Sequence, residues 1–260
     1  MGTKNDQINI LDVNQDNVAE VGIYCIKDKI SQGYQAKVEW FKTKLNKGLK
    51  IKIAIDNKGK QVGFIEYIPS ELAWRPIKAD NYFFIHCVAI FVKEAKDKGI
   101  GSFLIKQCEQ DAKDNNKAGI CAMSSEGPWI ANSSLYDKNK FTIADRLDRF
   151  ELMVKSFDNV KTKPCFIDWT KAQFKYSGWN LVYADQCPWH EKSINDIRQS
   201  AINNGIELTI KKLKTHKEAQ SAPSGFGTFS LIKDGKLLAD HYISRTRFEN
   251  MLRQEIKKSE

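Results

Sequence analysis

The sequence predicts a mixed α/β protein of the α+β kind, built as two consecutive domains. Three observations carry that expectation. The chain has 260 residues, more than the roughly 100–150 that one ordinary core organises. Segments of period-two alternation and segments of helical periodicity follow one another along its whole length. Finally, the pattern weakens into a polar stretch with Thr, Lys and Pro164 around 158–175 and then restarts, which places the domains at 1–158 and 159–260.

The first domain is justified element by element. Residues 6–13 read as a short strand, and Asp16 is placed to cap a helix through about Asp28 with Val18, Val21, Ile23, Tyr24 and Ile26 as its apolar positions. A second helix is expected over Tyr34–Leu45. LKIKIAID (49–56) alternates strictly, QVGFIEYIP (61–69) is a second strand, and Asn57-Lys58-Gly59-Lys60 between them reads as a hairpin turn. A polar loop with Trp74, Arg75 and Pro76 leads to the apolar run 82–92, dense enough for a central strand buried on both faces. KEAKDKGIGS (93–102) is a basic, glycine-containing loop, and Ile100, Phe103, Leu104, Gln107 and Cys108 recur at helical spacing after it. Ala118–Met123 is a short buried strand, 129–138 a helix, and Phe141–Ala144 and Phe150–Phe157 are strand-like.

In the second domain NLVYADQ (180–186) is a strand and Pro188–Asn204 a helix ended by Asn204-Gly205. IELTIKKL (206–213) is an alternating strand and Thr215–Gln220 a short helix. Two strands, Thr228–Lys233 and Lys236–Ser244, flank an Asp234-Gly235 turn before a closing helix from Arg245. No internal repeat interrupts this order.

Composition narrows the function classes. Hydrophobic residues make up 42% and charged residues 28%, which excludes a disordered chain. The longest apolar run, broken by His86, falls short of the roughly 20 residues that span a bilayer, and the N-terminus lacks the pattern of a secretory signal. A cytoplasmic protein without membrane partners is the expectation. The six cysteines are scattered and no pair has metal-ligand spacing, so neither a disulfide framework nor a metal site is expected. The net charge of +9 divides unevenly, with 24 basic and 21 acidic residues up to 158 and 17 and 11 after it. Nucleic acid, a phosphate-rich ligand and an anionic surface all suit a basic protein. Lys211, Lys212, Lys214 and Lys217 cluster, but runs of this kind are usually a solvated face, so nucleic acid is not an expected partner.

The stretch 88–105 is the most informative. A helix start leaves amide donors unpaired and concentrates partial positive charge, and glycines let backbone approach an anion. Gly99 and Gly101 sit at such a start, amid Lys93, Lys96 and Lys98. That arrangement suits a pyrophosphate. Here the chain resembles the GNAT family of acyl-CoA-dependent N-acyltransferases, whose Gln/Arg-x-x-Gly-x-Gly/Ala signature is matched by Lys96-Asp97-Lys98-Gly99-Ile100-Gly101, with Lys in first place. The element order from 6 to 157 resembles that family too. The resemblance implies a GNAT fold and acetyl-CoA as cosubstrate, its pyrophosphate held by Lys96, Asp97, Lys98, Gly99, Ile100, Gly101 and Ser102 and its pantetheine arm by Phe91 and Val92. It also implies roles for Asn132, Tyr136, Lys138 and Phe141 in ANSSLYDKNKF (131–141), although Lys140 replaces the family's glycine.

Acyl transfer to an amine requires a proton for the departing thiolate and a place for the proton of the attacking ammonium. Tyr136 is the candidate acid. Glu66 and Glu126 are candidate bases, with His86 on the central strand as a third and a water chain as an alternative to all of them. Glu66 alternates with Phe64 and Ile68, so these three share one face. The acceptor, a small amine or a peptide, would be met by residues around 16–45 and 69–81, including Trp74 and Arg75. Nothing in the sequence separates a monomer from a homodimer.

Strand, Cys187-Pro188-Trp189-His190, helix, strand, then Ala222-Pro223 before a hairpin resembles the thioredoxin-like fold, where a cysteine opens the first helix and a proline faces it. His190 replaces the second cysteine, which leaves Cys187, His190 and Pro223 as a monothiol site at most. The combination of a GNAT-like domain with this tail resembles bacterial and archaeal proteins of the YoaP-like family, through YADQCPWHEK, APSGFGTFSLIKDGK and HYISRTRFENML. An acyltransferase and a thiol-dependent protein whose first domain only binds CoA remain the two leading readings of the sequence.

Overall fold

The structure, a computed structural model, describes residues 8–157 and 162–257. The expected domain limit at 158/159, and the first two residues of the strand expected from 6, lie outside the described residues. The chain divides into two compact units that interleave in sequence: one takes residues up to Lys27, Phe41–Ala73 and Ile77–Phe166, the other Asp28–Trp40, Trp74–Pro76 and Ile167 onward.

The first unit begins with β1 (Asn9–Val13) and α1 (Val18–Val21). Gly22, at φ +80°, ends α1 after one turn, so the helix expected to Asp28 is cut short. Then α2 (Gln32–Leu45) begins within the second unit's residues and ends within the first's. The hairpin β2 (Lys50–Ile55) and β3 (Gln61–Pro69) forms as its alternation requires. It is followed by β4 (Ile77–Lys78), β5 (Tyr82–Ala89), α3 (Ile100–Asp114), β6 (Gly119–Ser124), α4 (Ser133–Asp137), β7 (Thr142–Leu147), β8 (Phe150–Ser156) and β9 (Cys165–Phe166). The helix expected over 129–138 is confined to α4, because Trp129 takes left-handed φ and Asn132 is extended as the N-cap. The two-residue strands β4 and β9, which pair with each other, were too short for periodicity to reveal.

Seven strands form one twisted sheet in the order β1-β2-β3-β5-β6-β8-β7. Every neighbouring pair is antiparallel except β5 and β6, which are parallel and joined through α3. The apolar stripe of α3, with Ile100, Leu104, Ile105, Cys108 and Ala112 buried, packs on Ile65, Tyr67, Phe83, Ile85, Ile120, Ala122 and Met153. At its far end Asp111 takes Lys50 Nζ at 2.6 Å, lies 3.4 Å from Lys52 Nζ, and accepts the Tyr67 hydroxyl. These bonds fasten the helix to β2 and β3.

The second unit contains α5 (Thr170–Gln173), β10 (Trp179–Tyr183), α6 (His190–Asn203), β11 (Leu208–Lys212), α7 (His216–Gln220), β12 (Phe229–Lys233), β13 (Lys236–Ala239) and α8 (Arg245–Lys257). Its four-stranded sheet runs β11-β10-β12-β13, with β10 and β11 parallel and the other pairs antiparallel. Thr215 and Glu218 close a reciprocal capping box at the start of α7. Among the described residues no helix is long and apolar enough to cross a membrane.

Candidate functional site

The parallel pair sets the site. The ladder between β5 and β6 runs only from Tyr82↔Gly119 to Ile85↔Ala122. Beyond it β5 continues beside β3 to Ala89, and β6 continues beside β8 to Ser124. The two strands therefore part at their carboxyl ends, where open α/β sheets make ligand crevices. Register along β3 shifts between Glu66 and Tyr67, which face Cys87 and Ile85, so His86 is an extra residue on β5 at the point where the strands separate.

The glycine loop follows directly. A single 3-10 turn (Lys93–Ala95) leads to Asp97 at φ +59° and Gly99 at φ +77°, and Gly99 is the N-cap of α3. No side chain caps this helix start, and a Cβ on Gly99 would meet nothing within 4 Å, so backbone is presented to open space there. Lys93, Lys96 and Lys98 are exposed around it. Ile100 is buried under the loop and Leu135 approaches Gly101, where an added Cβ would stand 3.1 Å from its Cδ1. Asn139, which no motif singles out, donates to Ser102 Oγ at 2.9 Å and to the Leu135 carbonyl at 2.8 Å. It ties the start of α3 to α4.

Phe91 and Val92 are placed differently from the expectation. The strand ends at Ala89, so both lie in the extended segment past it. Phe91 is 58% exposed, stacked on Tyr24 with centroids 5.5 Å apart, and Val92 packs against the α3 core. The strand edge beside the crevice belongs instead to the residues from His86 to Ala89. Asn132 is the exposed N-cap of α4 and accepts from Ser134 Oγ at 2.6 Å; Lys138 is exposed at the other end of that helix.

Tyr136 is 3% exposed and packs edge-on against Phe141 at 5.3 Å. Burial pushes its phenol well above the usual range, and nearby Cys87 and Cys108 add to the effect, so it holds its proton. Glu66 and His86, separate candidates in the sequence, form one buried pair with His86 Nδ1 3.1 Å from Glu66 Oε1. Glu126 is exposed in the loop after β6 and is not part of that pair. Trp74 and Arg75 are buried rather than positioned on an open acceptor wall. Arg75 donates to the Trp74 carbonyl at 2.8 Å, and its guanidinium lies 4.7 Å from the Phe226 ring centre.

In the second unit a cavity of about 220 Å³ is lined by residues that include Cys187, His190, Asp185, Glu191, Arg198 and Lys212. Cys187 is half-buried two residues before Trp189, the N-cap of α6, and its carbonyl accepts the His190 amide at 3.3 Å. Pro223 is buried but does not line this cavity; its carbonyl accepts from Gln173 Nε2 at 3.1 Å. Burial, with the Arg75 and Lys37 cations nearby, holds His190 down to about 3, against a hydrogen bond from its Nδ1 to the Ala184 carbonyl.

Comparison with known proteins adds the following. A family model described as YoaP-like matches residues 208–250. The chain is 27% identical to a Bacillus subtilis protein named "Uncharacterized N-acetyltransferase YoaP", over 93% of this chain and 97% of that one. Among solved structures it is similar to an acetyltransferase of the GNAT family from Staphylococcus aureus, at 19% identity over 58% of this chain and 100% of that one, with a TM-score of 0.43. A GNAT family acetyltransferase from Brucella melitensis in complex with acetyl-CoA matches at 14% identity over 61% of this chain and 93% of that one, with a TM-score of 0.39.

Proposed function

We propose that the protein is an acyltransferase that moves an acetyl group from acetyl-CoA to a primary amine by direct attack. The observation that carries this reading is the parting of β5 and β6 with the uncapped glycine loop just beyond β5: a crevice for an extended arm, and a cluster of amides and lysines for a pyrophosphate. The similarity to a relative named as an N-acetyltransferase over nearly the whole chain supports it.

In this account residues 96–102 hold the pyrophosphate, and the β5 edge from His86 to Ala89, continued by Phe91 and Val92, holds the pantetheine arm. The amine nitrogen attacks the thioester carbonyl carbon, the C–S bond breaks, and Tyr136 gives its proton to the departing thiolate. Burial keeps the phenol protonated but also makes it a weaker acid than free tyrosine, so the transfer is driven by the charge that develops on the departing sulfur. The ammonium proton passes, directly or through water, to the Glu66–His86 pair. Because that pair is buried at the separating strands while Glu126 is exposed, Glu66 takes precedence over Glu126. Orientation of the two reactants supplies much of the acceleration.

We also propose that β10 to α8 form a thioredoxin-like tail domain within the expected span 159–260. Support for this comes from the parallel β10–β11 pair and the antiparallel β12–β13 hairpin. The test of the transferase reading is release of free CoA thiol from acetyl-CoA on addition of a panel of primary amines and amino-terminal peptides. Amine-dependent release that falls in Tyr136→Phe is expected; no release with any amine would contradict it.

A further inference from the structure

The crevice of the first unit carries aromatic side chains that holding acetyl-CoA does not require. Of the large apolar side chains described in that unit, only Phe91 and Trp129 are exposed, at 58% and 45%. Phe91 comes just after β5 and Trp129 just after β6, the two strands that part. Both places are also marked by backbone strain. Eight described residues other than glycine have a positive φ; six are Asn, Asp or Lys, and the remaining two are Tyr24 at +63° and Trp129 at +69°. Asn and Asp tolerate this region, but for a bulky ring it is an outlier, and such outliers gather at ligand sites.

Tyr24 is the centre of a three-residue turn closed by the Cys25 amide on the Ile23 carbonyl at 2.8 Å, the tight i to i+2 bond of a γ-turn. Gln61 of β3 donates to the Val21 carbonyl at 2.9 Å and fixes the approach to that turn, and Ile23 is buried. The turn lays the Tyr24 ring against Phe91, with 8° between the planes, and at 5.4 Å from Phe64. Phe91 is thus braced on one side and open on the rest. Ile90 and Val92 pack toward α3, so the backbone of Phe91 is left to the pantetheine arm while its ring turns to the opposite face of the sheet. Phe64 and Glu66 lie on that same face, because the alternate residues Ile65 and Tyr67 pack under α3. Across the crevice, the loop that carries Trp129 is closed by the Ser125 amide on the Ala131 carbonyl at 3.2 Å.

We propose that the acceptor is an arylalkyl primary amine, its ring received by Phe91 and Trp129 and its nitrogen presented to the Glu66–His86 pair. This rests on the transferase reading and names the substrate class of that site. The acyl arm enters along the strand edges. The Glu66–His86 pair and the Tyr24–Phe91 stack share one face of the sheet, and the group that approaches the base from that face is the amine. Tyr24, Phe64 and Phe91 bring no charge to it. A second ammonium in place of the ring would therefore give up its hydration for cation–π attraction alone. A plain alkyl chain would bury less area and lose the ring-on-ring contact.

The experiment measures CoA thiol release by the full-length protein from acetyl-CoA with phenethylamine, butylamine or cadaverine as acceptor. Phenethylamine is expected to show a kcat/KM about tenfold or more above either of the others. In Tyr24→Leu and in Trp129→Leu the ratio of phenethylamine to butylamine, both read in the same enzyme, should fall below about threefold. Because it is a ratio, loss of folded protein does not move it. Equal kcat/KM values for the three amines, or the wild-type ratio retained in either variant, would overturn the inference and leave the transferase reading in place. A preference for phenylacetyl-CoA over acetyl-CoA without any preference among amines would give the rings to the acyl group and overturn it as well. No release with any amine would instead overturn the transferase reading itself.

Discussion

Asp111→Ala removes the carboxylate that fastens α3, and with it the glycine loop, to β2 and β3. The native carboxylate accepts a charge-assisted bond from Lys50 at 2.6 Å and the hydroxyl of buried Tyr67, and it lies 3.4 Å from Lys52. Lys50 is partly exposed, so its bond is screened by solvent and counts toward the low end of its class. Lys52 is nearly buried but retains Asp12 at 2.7 Å, which limits its loss. The Tyr67 hydroxyl loses an acceptor inside the core. Together these give a destabilisation of about 3 kcal/mol, equivalent to roughly 6–12 °C in melting temperature.

The sign with pH follows from the carboxyl group's own shift. Burial pushes Asp111 up, but the bonds from Lys50 and Tyr67 and the charge of Lys52 pull harder, so it is held below the usual carboxylate range. A depressed carboxylate stabilises the fold above its unfolded value, near 4, and the contribution fades as pH falls through the folded one. Urea unfolding of wild type and variant at pH 7 and near pH 3 measures this. A deficit below about 0.5 kcal/mol at pH 7, or one that widens in acid, would refute the reasoning.

Tyr136→Phe should lower turnover by about 10²–10⁴ while leaving acetyl-CoA affinity within a factor of about two, measured by steady-state kinetics and calorimetry. Because burial raises the phenol, Tyr136 should contribute no alkaline fall in rate below pH 10; a limb near pH 9 that vanishes in the Phe variant would contradict its environment. Glu66→Gln should reduce turnover by at least about tenfold, and Glu126→Gln by less than about twofold. The reverse order would move the base to the loop after β6. Gly99→Val combines left-handed strain at φ +77° with a side chain in the open space above the helix start. It should weaken acetyl-CoA binding by at least about tenfold without changing the fold by circular dichroism.

The large elements were legible because their physics is local. Alternation in 49–56 and 61–69 and the turn between them appear as β2 and β3, and the apolar stripe from Ile100 reappears as the buried face of α3. What escaped was set by long-range pairing. The end of β5 at Ala89 rather than at Val92, and its separation from β6 after Ile85, depend on which neighbour each strand finds. The Glu66–His86 pair joins residues twenty positions apart through a register shift that no spacing announces. Arg75 stands in a polar loop expected to meet the acceptor, yet it is buried over Phe226, far along the chain. Asn139 carried no signal beyond its nearness to the Tyr136 segment, and only the structure connects it to Ser102.

The central claim is that the crevice and glycine loop of the first unit receive acetyl-CoA. Isothermal calorimetry of the full-length protein with acetyl-CoA tests it most directly. A saturable one-to-one isotherm with a Kd in the micromolar range, about −7 to −8 kcal/mol, is the predicted result, and Gly99→Val should flatten it. An absence of heat at millimolar acetyl-CoA, or an isotherm unchanged by Gly99→Val, would contradict the account.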